Sequence, residues 1–492
     1  MIEVRPQFSF LHFLPARRGR FPVLAFFLAA LIVGGCTVGP KYQRPATDVP
    51  AAYKDPGNWK TAEPGDAVAK GKWWEVYQDP QLNALEEQIA VSNQNLKIAQ
   101  AQFLQARAAL KISRSGLFPT VTGGVTATRL HQSSNRPLFN SANAKTDYSD
   151  YTIPFDASYE ADVWGRVRRT VEASRAEAQA SAADLATVDL SLHAELALDY
   201  FSLRGLDAQK ALLDSTVVSY EKALELTQSR YHGGLASAVE VAQAQTILET
   251  TRAQAVDVMV QRAAFEHVVA VLIGQPASTY SLPAKPLAAP PPAVPPGLPS
   301  DLLERRPDIA AAERRVQEAN ALIGVARAAY FPQITLSAAG GFESAIITTL
   351  IQGPSGLWSF GGAAVETIFD AGRRRGISDQ AIAAHEQTVA NYRETVLTAF
   401  QQVEDNLSAL RILEEEAKTQ DGAVAAAEHS LALSINRYRG GVTSYLEVTI
   451  AQSAALADEV TAVSILTRRV TASVLLVKAL GGGWNVSQIP PI

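Results

Sequence analysis

Apolar and polar positions along the chain change period several times, and each change predicts an element. From Gln81 to Arg114 the apolar residues Leu82, Leu85, Ile89, Leu96 and Ile98 lead into an Ala-rich QARAAL stretch at helical spacing, and Pro119 stops the run. Alternation follows. Val121, Gly123, Val125 and Ala127 face away from Thr120, Thr122, Gly124, Thr126 and Thr128, which predicts a strand. A second strand sets Tyr151, Ile153, Phe155, Ala157, Tyr159, Ala161 and Val163 against Thr152, Asp156, Ser158, Glu160 and Asp162, with Pro154 unable to donate to a ladder. From Gly165 to Tyr231 there is no proline, and an apolar stripe runs through Leu185, Val188, Leu192, Leu196, Leu203, Leu206, Leu213, Val217, Tyr220 and Leu224. Sixty-seven helical residues make a rod of about 100 Å. Gly233 and Gly234 then turn the chain, and helical spacing resumes over Ala236 to Ile273.

The same program recurs downstream. Arg230, Tyr231, Gly233, Gly234, Ser237, Glu240, Val241 and Gln245 reappear 207 residues later as Arg437, Tyr438, Gly440, Gly441, Ser444, Glu447, Val448 and Gln452. The same offset carries Gly165-Arg166 onto Gly372-Arg373 and Arg168 onto Arg375, while Phe118-Pro119 and Phe331-Pro332 lie 213 apart. The chain therefore reads as one structure duplicated: a first repeat over 81–279 (hairpin about 117–163, turn 232–235) and a second over 301–480 (hairpin about 331–369, turn 439–443). Residues 280–300 are a connector, with eight prolines in the 17 positions from 283 to 299 that exclude helix. The last segment, 481–492, is a tail. In the second repeat a helix of about 30 residues precedes Phe331, a strand follows in which Ile334, Leu336 and Ala338 alternate with Gln333, Thr335 and Ser337, and another runs near Leu357 to Phe369. An unbroken helical run then extends from Arg373 to Tyr438, and one more helix from Ser444 to Leu480. In each half the two shorter helices together match the long one in length, so two can stack end to end beside it. Residues 171–190 hold seven alanines, which let neighbouring rods approach closely.

Strands apolar on one face and polar on the other are the signature of a membrane barrel with a wet lumen, with a half-buried soluble hairpin as the rival reading. Four strands cannot close a barrel, and an open edge is forbidden in lipid, so a membrane reading requires several copies to share one barrel. Three copies giving twelve strands is the smallest tidy solution. The stripes alone fit an ordinary long coiled coil; strands flanked by rods, twice over, argue for a tube.

The amino end changes the picture. Arg17, Arg18 and Arg20 precede an apolar run from Phe21 to Val33, and Val33-Gly34-Gly35-Cys36 follows. A basic region, an apolar core too short to span a bilayer comfortably and small residues at the cut make residues 1–35 a signal peptide. Cys36, at the first position after the cut, resembles a bacterial lipobox, which implies an N-palmitoyl, S-diacylglycerol cysteine at the head of an acylated segment over 36–80. Several acyl chains suffice for stable anchoring, where one is marginal. Cys36 is also the single cysteine, so the exported chain forms no internal disulfide. Removing the leader takes the net charge from −5 to −8, with 40 basic against 48 acidic residues remaining. Neither value suits a nucleic-acid binder.

No catalytic constellation survives inspection, and the chain reads as a non-enzyme without a cofactor. Gly65 to Gly71-Lys72 resembles a P-loop loosely, but five residues separate the glycines and Trp73 stands where a magnesium-binding hydroxyl belongs. The seven histidines are scattered, and methionine is confined to Met1 and Met259, which disfavours a copper or silver pathway.

Cys36-Thr-Val-Gly-Pro-Lys-Tyr-Gln-Arg-Pro45, Trp73-Trp74 with Asp79-Pro80-Gln81-Leu82, Asp162-Val-Trp-Gly-Arg166, Arg306-Pro-Asp-Ile309, Ile323-Gly-Val-Ala326 and Phe331-Pro332 together span the mature chain. In this combination the chain resembles the lipoprotein (NodT-type) branch of the TolC-like outer membrane factors. The resemblance implies a mainly α fold with a β-hairpin pair: a homotrimer with a 12-stranded transmembrane β-barrel and a long periplasmic α-helical barrel. It implies an outer-membrane exit duct of a tripartite efflux pump, lipid-anchored and extending into the periplasm, with a periplasmic adaptor and an inner-membrane RND-type transporter as partners. Gly233, Gly234, Gly440 and Gly441 would form the periplasmic tips and dock the adaptor. Tyr231, Glu240, Tyr438 and Glu447 would form the gate, with Glu240 and Glu447 otherwise solvated helix-face residues. Thr443 stands where some relatives carry arginine and Ile450 where a second acid can occur. A type I secretion duct and a non-conducting coiled-coil scaffold are the alternatives.

Overall fold

A computed structural model describes residues 37–54, 71–135, 146–294 and 301–492. Cys36, the signal peptide and parts of the N-terminal segment and connector lie outside the described residues. The described chain forms two compact units. One holds residues 37–42, Leu110–Ser174 and Ala319–His385; the other holds Gln43–Ala109, Arg175–Glu318 and Glu386–Ile492.

The first unit is built on one antiparallel sheet of β1 (Thr120–Gly123), β2 (Thr126–His131), β3 (Asp147–Glu160), β4 (Gln333–Ser344) and β5 (Gly356–Val365). β1 and β2 lie end to end along one side of β3, and β4 and β5 follow on its other side. The first predicted strand is thus two, interrupted at Gly124-Val125. Across that interruption lies Pro154, which cannot donate from the middle of β3; its carbonyl instead accepts from the Gly124 amide at 3.1 Å. On the other side Pro154 faces Gly341, where a Cβ would collide with the Ile153 carbonyl oxygen. β3 begins and ends a few residues earlier than alternation predicts, and β4 runs six residues beyond Ala338.

Register sorts the two faces. Directly opposed residues share a face, so Val121, Ala157, Ala338 and Phe360 form one apolar row and Gly123, Phe155, Gly340 and Trp358 the next. The alternate rows read Thr122, Asp156, Ala339, Ser359 and Thr120, Ser158, Ser337, Gly361. Trp358 is 85% and Phe360 76% exposed, a cost no water-facing sheet of a single chain sustains without cover.

Where the chain leaves the sheet, short polar contacts fix its path. Asp162 accepts from the amides of Val167 at 3.0 Å and Arg168 at 2.8 Å, capping the first long helix. Trp164 stacks on Phe331 at 4.8 Å and donates Nε1–H to the Pro332 carbonyl. The extended stretch from Thr37 is held beside them: Val38 donates to the Trp164 carbonyl at 3.1 Å, and Arg169 and Asn320 both donate to the Pro40 carbonyl. Gly39 crosses Gly324 so closely that a Cβ on Gly39 would sit 2.5 Å from the Gly324 Cα.

The second unit is helical. The first long helix (Arg166–His232) and the second (Arg373–Arg439) each contribute most of their length to it, and each turns into a return helix, Ala238–Leu272 and Tyr445–Ala479. The two return helices pack on each other. Every residue of the predicted stripe from Leu185 to Leu224 is buried or half-buried, and Ala178, Ala180 and Ala183 are fully buried. Small residues let the backbones close in: a Cβ on Gly205 of the first long helix would collide with Thr467 of the second return helix. Tyr445–Ala479 is long and apolar enough to cross a membrane by length and composition. Ile465, Val470, Val474, Leu476 and Val477 are buried, so part of that apolarity serves helix packing.

The predicted helix over 81–114 is instead Pro80–Ser92 and Gln94–Ser115, split at Asn93. Asn93 is extended; its Oδ1 accepts from the Leu96 amide at 2.9 Å as an N-cap, and its Nδ2 donates to the Leu272 carbonyl at 2.7 Å. The helix before Phe331 is likewise broken at Arg306, which is extended ahead of Pro307.

Candidate functional site

The two long helices end in the same way. Leu235 donates to the Arg230 carbonyl at 2.8 Å and Gly234 to the Tyr231 carbonyl at 2.9 Å; Val442 donates to Arg437 and Gly441 to Tyr438, both at 3.0 Å. These are Schellman caps, and each needs a left-handed residue just past the helix. Gly234 (φ +73°) and Gly441 (φ +75°) supply it, whereas Gly233 and Gly440 have ordinary backbone. Only one glycine of each predicted pair is therefore conformationally required. Gly274 and Gly481 end the return helices by the same device. After the turn, Ser237 caps the first return helix by accepting from the Glu240 amide at 3.3 Å, while Ser444 occupies the matching position without a side-chain cap.

The four predicted gate residues separate into three settings. Tyr438 is buried, and its hydroxyl donates to Glu240 Oε2 at 3.0 Å, so the structure joins one residue from each repeat. Tyr445 meets the Tyr438 ring edge to face at 5.2 Å, and Ala244 and Val448 complete the cluster. Burial, reinforced by Glu240, raises the Tyr438 pKa, with Thr227 pulling the other way, so the phenol keeps its donated proton. Glu447 is exposed, 3.8 Å from Arg437. Tyr231 is 46% exposed and, among the described aromatic residues, touches only the neighbouring His232 ring, so it stands apart from the Tyr438 cluster.

Arg230 completes the cluster and was not singled out as a site residue. Its guanidinium lies 4.7 Å from the Tyr438 ring centre and donates to the Arg439 carbonyl at 3.0 Å, tying the end of the first long helix to the end of the second. The repeat contained the signal, since Arg230 recurs as Arg437, but only the fold shows which copy reaches across. Thr443 Oγ1 is buried without a hydrogen-bond partner among the described residues. Around the turns Leu235, Val239, Val442 and Ile450 are each more than 60% exposed.

Elsewhere in the helical unit, buried charge serves to hold segments in place. Arg204 donates to Asp207, Gln81 and the Pro283 carbonyl; Asp207 also accepts from Arg262 and from the Lys285 amide, fastening the connector to the helices. His193 Nδ1 lies 2.6 Å from Glu86 Oε2, and the imidazole stacks on Trp74 at 4.3 Å. Among the described residues no three His, Cys, Asp or Glu side chains group as metal ligands would.

The family model described as outer membrane efflux protein matches residues 85–275 and 298–482. The toluene efflux pump outer membrane protein TtgF of Pseudomonas putida is 35% identical over 479 residues, covering 94% of this chain and 97% of that protein. Outer membrane protein OprJ of Pseudomonas aeruginosa is 32% identical, covering 95% and 97%. The solved CmeC outer membrane channel of Campylobacter jejuni superposes with a TM-score of 0.86 at 25% identity, covering 92% of this chain and 96% of that one. With a family model over most of its length and full-length relatives of this similarity, the chain belongs to the outer membrane efflux protein family.

Proposed function

We propose that the chain is the outer-membrane exit duct of a tripartite efflux pump, active as a homotrimer that conducts small molecules passively. The observation that carries this reading is a sheet with one apolar face, one polar face and two edges unpaired among the described residues, along β5 and along β1 with β2. Unpaired amides and carbonyls are not tolerated against hydrocarbon, so the edges must meet edges of other copies. Three copies close a twelve-stranded barrel, with Trp358 and Phe360 toward lipid and the Thr, Ser and Asp rows toward water.

In this reading the paired turns form the periplasmic mouth. The clasp of Arg230, Tyr438 and Glu240 holds it closed, and the apolar side chains at 235, 239, 442 and 450 present docking surface to a periplasmic adaptor. The transporter of the inner membrane, of RND type, supplies the energy and selects the cargo. TtgF is named for toluene efflux and ArpC of Pseudomonas putida for antibiotic efflux, which supports small organic molecules as the cargo class. Cys36 carries the lipid anchor. Planar-bilayer recording of the purified full chain, paired with complementation of an efflux-deficient strain supplied with a cognate adaptor and transporter, tests the proposal. Absence of conductance in every state, with normal trimer assembly, would sink it in favour of a scaffold.

A further inference from the structure

The duplicated Gly-Arg-x-Arg motif, 165–168 and 372–375, is not absorbed by the gate or the barrel wall. Arginines in the first turn of a helix oppose its dipole and call for a reason. In the first copy the reason is local. Arg166 pairs with Glu160 and Arg168 with Asp162, each acid six residues upstream of its arginine. In the second copy the residues at those same offsets are Thr367 and Phe369, and no acid stands there. Arg374 alone takes the nearby carboxylates, Asp370 at 2.7 Å and Glu366 at 2.9 Å. Arg373 and Arg375 are exposed and form no ion pair among the described residues, Asp379 one turn further on included.

A few residues before these two arginines in the chain, Ile368 is 88% and Phe369 85% exposed. The helix end itself is not the attraction, since its first amides are already taken by Asp370: Gly372 donates to Oδ1, Arg374 to Oδ2 and Arg373 to the carbonyl. Register fixes the location. β1 starts, β3 ends, β4 starts and β5 ends at one end of the sheet, and residues 366–375 leave from that end into the second long helix. Two apolar side chains adjoining two uncompensated arginines, at the end of a lipid-facing sheet where the chain enters water, match the boundary between acyl chains and headgroups.

We propose that Arg373 and Arg375, with Ile368 and Phe369 beneath them, form a binding surface for the phosphodiester headgroup of an anionic phospholipid in the periplasmic leaflet. The guanidinium groups take the phosphate oxygens, and the two apolar side chains lie against the upper acyl carbons. This rests on the outer-membrane channel reading above. The asymmetry between repeats is part of the proposal: the first copy, neutralised by its own acids, binds no lipid there.

Native mass spectrometry of the full-length trimer in detergent, titrated with phosphatidylglycerol, tests it against R373Q/R375Q. At about fivefold per arginine near an anionic surface, the double variant should bind about thirtyfold more weakly. Phe369→Ser should weaken long-chain phosphatidylglycerol while leaving trimer assembly intact. Equal binding by wild type and double variant overturns the proposal, as does full displacement of the lipid by equimolar inorganic phosphate, or a double variant whose only defect is failure to trimerise. Single-channel recording of the same sample separates the two readings. A conducting wild type that retains no phosphatidylglycerol overturns the lipid surface alone, whereas one that retains it through these arginines without conducting leaves the surface standing and overturns the channel.

Discussion

The Tyr438 hydroxyl donates to Glu240 Oε2 at 3.0 Å, joining positions 198 residues apart in the chain. Because a hydrogen bond to a charged acceptor is worth roughly 1.5–3 kcal/mol, losing it should shift an equilibrium between closed and open mouths by roughly tenfold or more. Tyr438→Phe keeps the ring under Arg230 and against Tyr445, so it removes the hydroxyl alone. Bilayer recordings should show a higher open probability for this variant, and Glu240→Ala should act in the same direction. Unchanged gating in both would remove the clasp from the mechanism.

The turns make a second distinction that the paired glycines conceal. Placing a side chain at Gly441 forces it into the left-handed region, at a cost of roughly 1–2 kcal/mol before any steric term. At Gly440 an added Cβ meets the Asn436 carbonyl at 3.5 Å and the Arg437 carbonyl at 3.6 Å, both ordinary contacts. Gly441→Val should therefore abolish efflux complementation while trimers still assemble, and Gly440→Ala should leave drug resistance near wild type. Equal defects in the two variants would contradict the cap assignment.

How much of this was legible depends on whether the cause is local. The first long helix was readable because 67 residues without proline carry one continuous stripe, the second because it repeats that unbroken run, and the turns because Gly-Gly follows each. The break at Asn93 was not, since its side chain answers a carbonyl 179 residues away at Leu272. β4 runs past Ala338 through Ala-Gly-Gly, which has no contrast between faces for alternation to register. Of the proposed gate residues, Tyr438 and Glu240 are legible by their place beside the turns, but sequence groups them with Tyr231, which is 46% exposed and outside their cluster. Arg230 was visible only as a repeated letter until the second helix end was placed beside it.

Titration of the His193 cluster gives stability a direction with pH. Burial works against the imidazolium, but Asp189 and Glu86 outweigh it and raise the His193 pKa from 6.5 to about 9. A raised folded-state value stabilises fully below pH 6.5, and that contribution is lost as the pH climbs through 9. Burial also raises Glu86, to about 7, with His193 pulling it back, so its contribution too declines as pH rises from 4.5. The melting temperature should fall between pH 6.5 and 9, and E86L/H193L should flatten that slope. An identical slope in the double variant would place the titration elsewhere.

Charge placed on the two faces of the sheet should have opposite consequences, because register assigns neighbouring residues of β5 to different surroundings. Phe360 lies in the row of Val121, Ala157 and Ala338, while Ser359 lies in the row of Thr122, Asp156 and Ala339. An arginine on the lipid face of a barrel costs about 2–4 kcal/mol near the midplane, and one facing a wet lumen costs little. Phe360→Arg should leave little heat-resistant trimer in outer-membrane fractions, since three copies would each bear that cost. Ser359→Arg should assemble at near wild-type levels and shift ion selectivity toward anions in bilayer recordings, because three added guanidinium groups would line the conducting path. If instead Ser359→Arg blocks insertion and Phe360→Arg is tolerated, the faces are reversed and the barrel assignment fails with them.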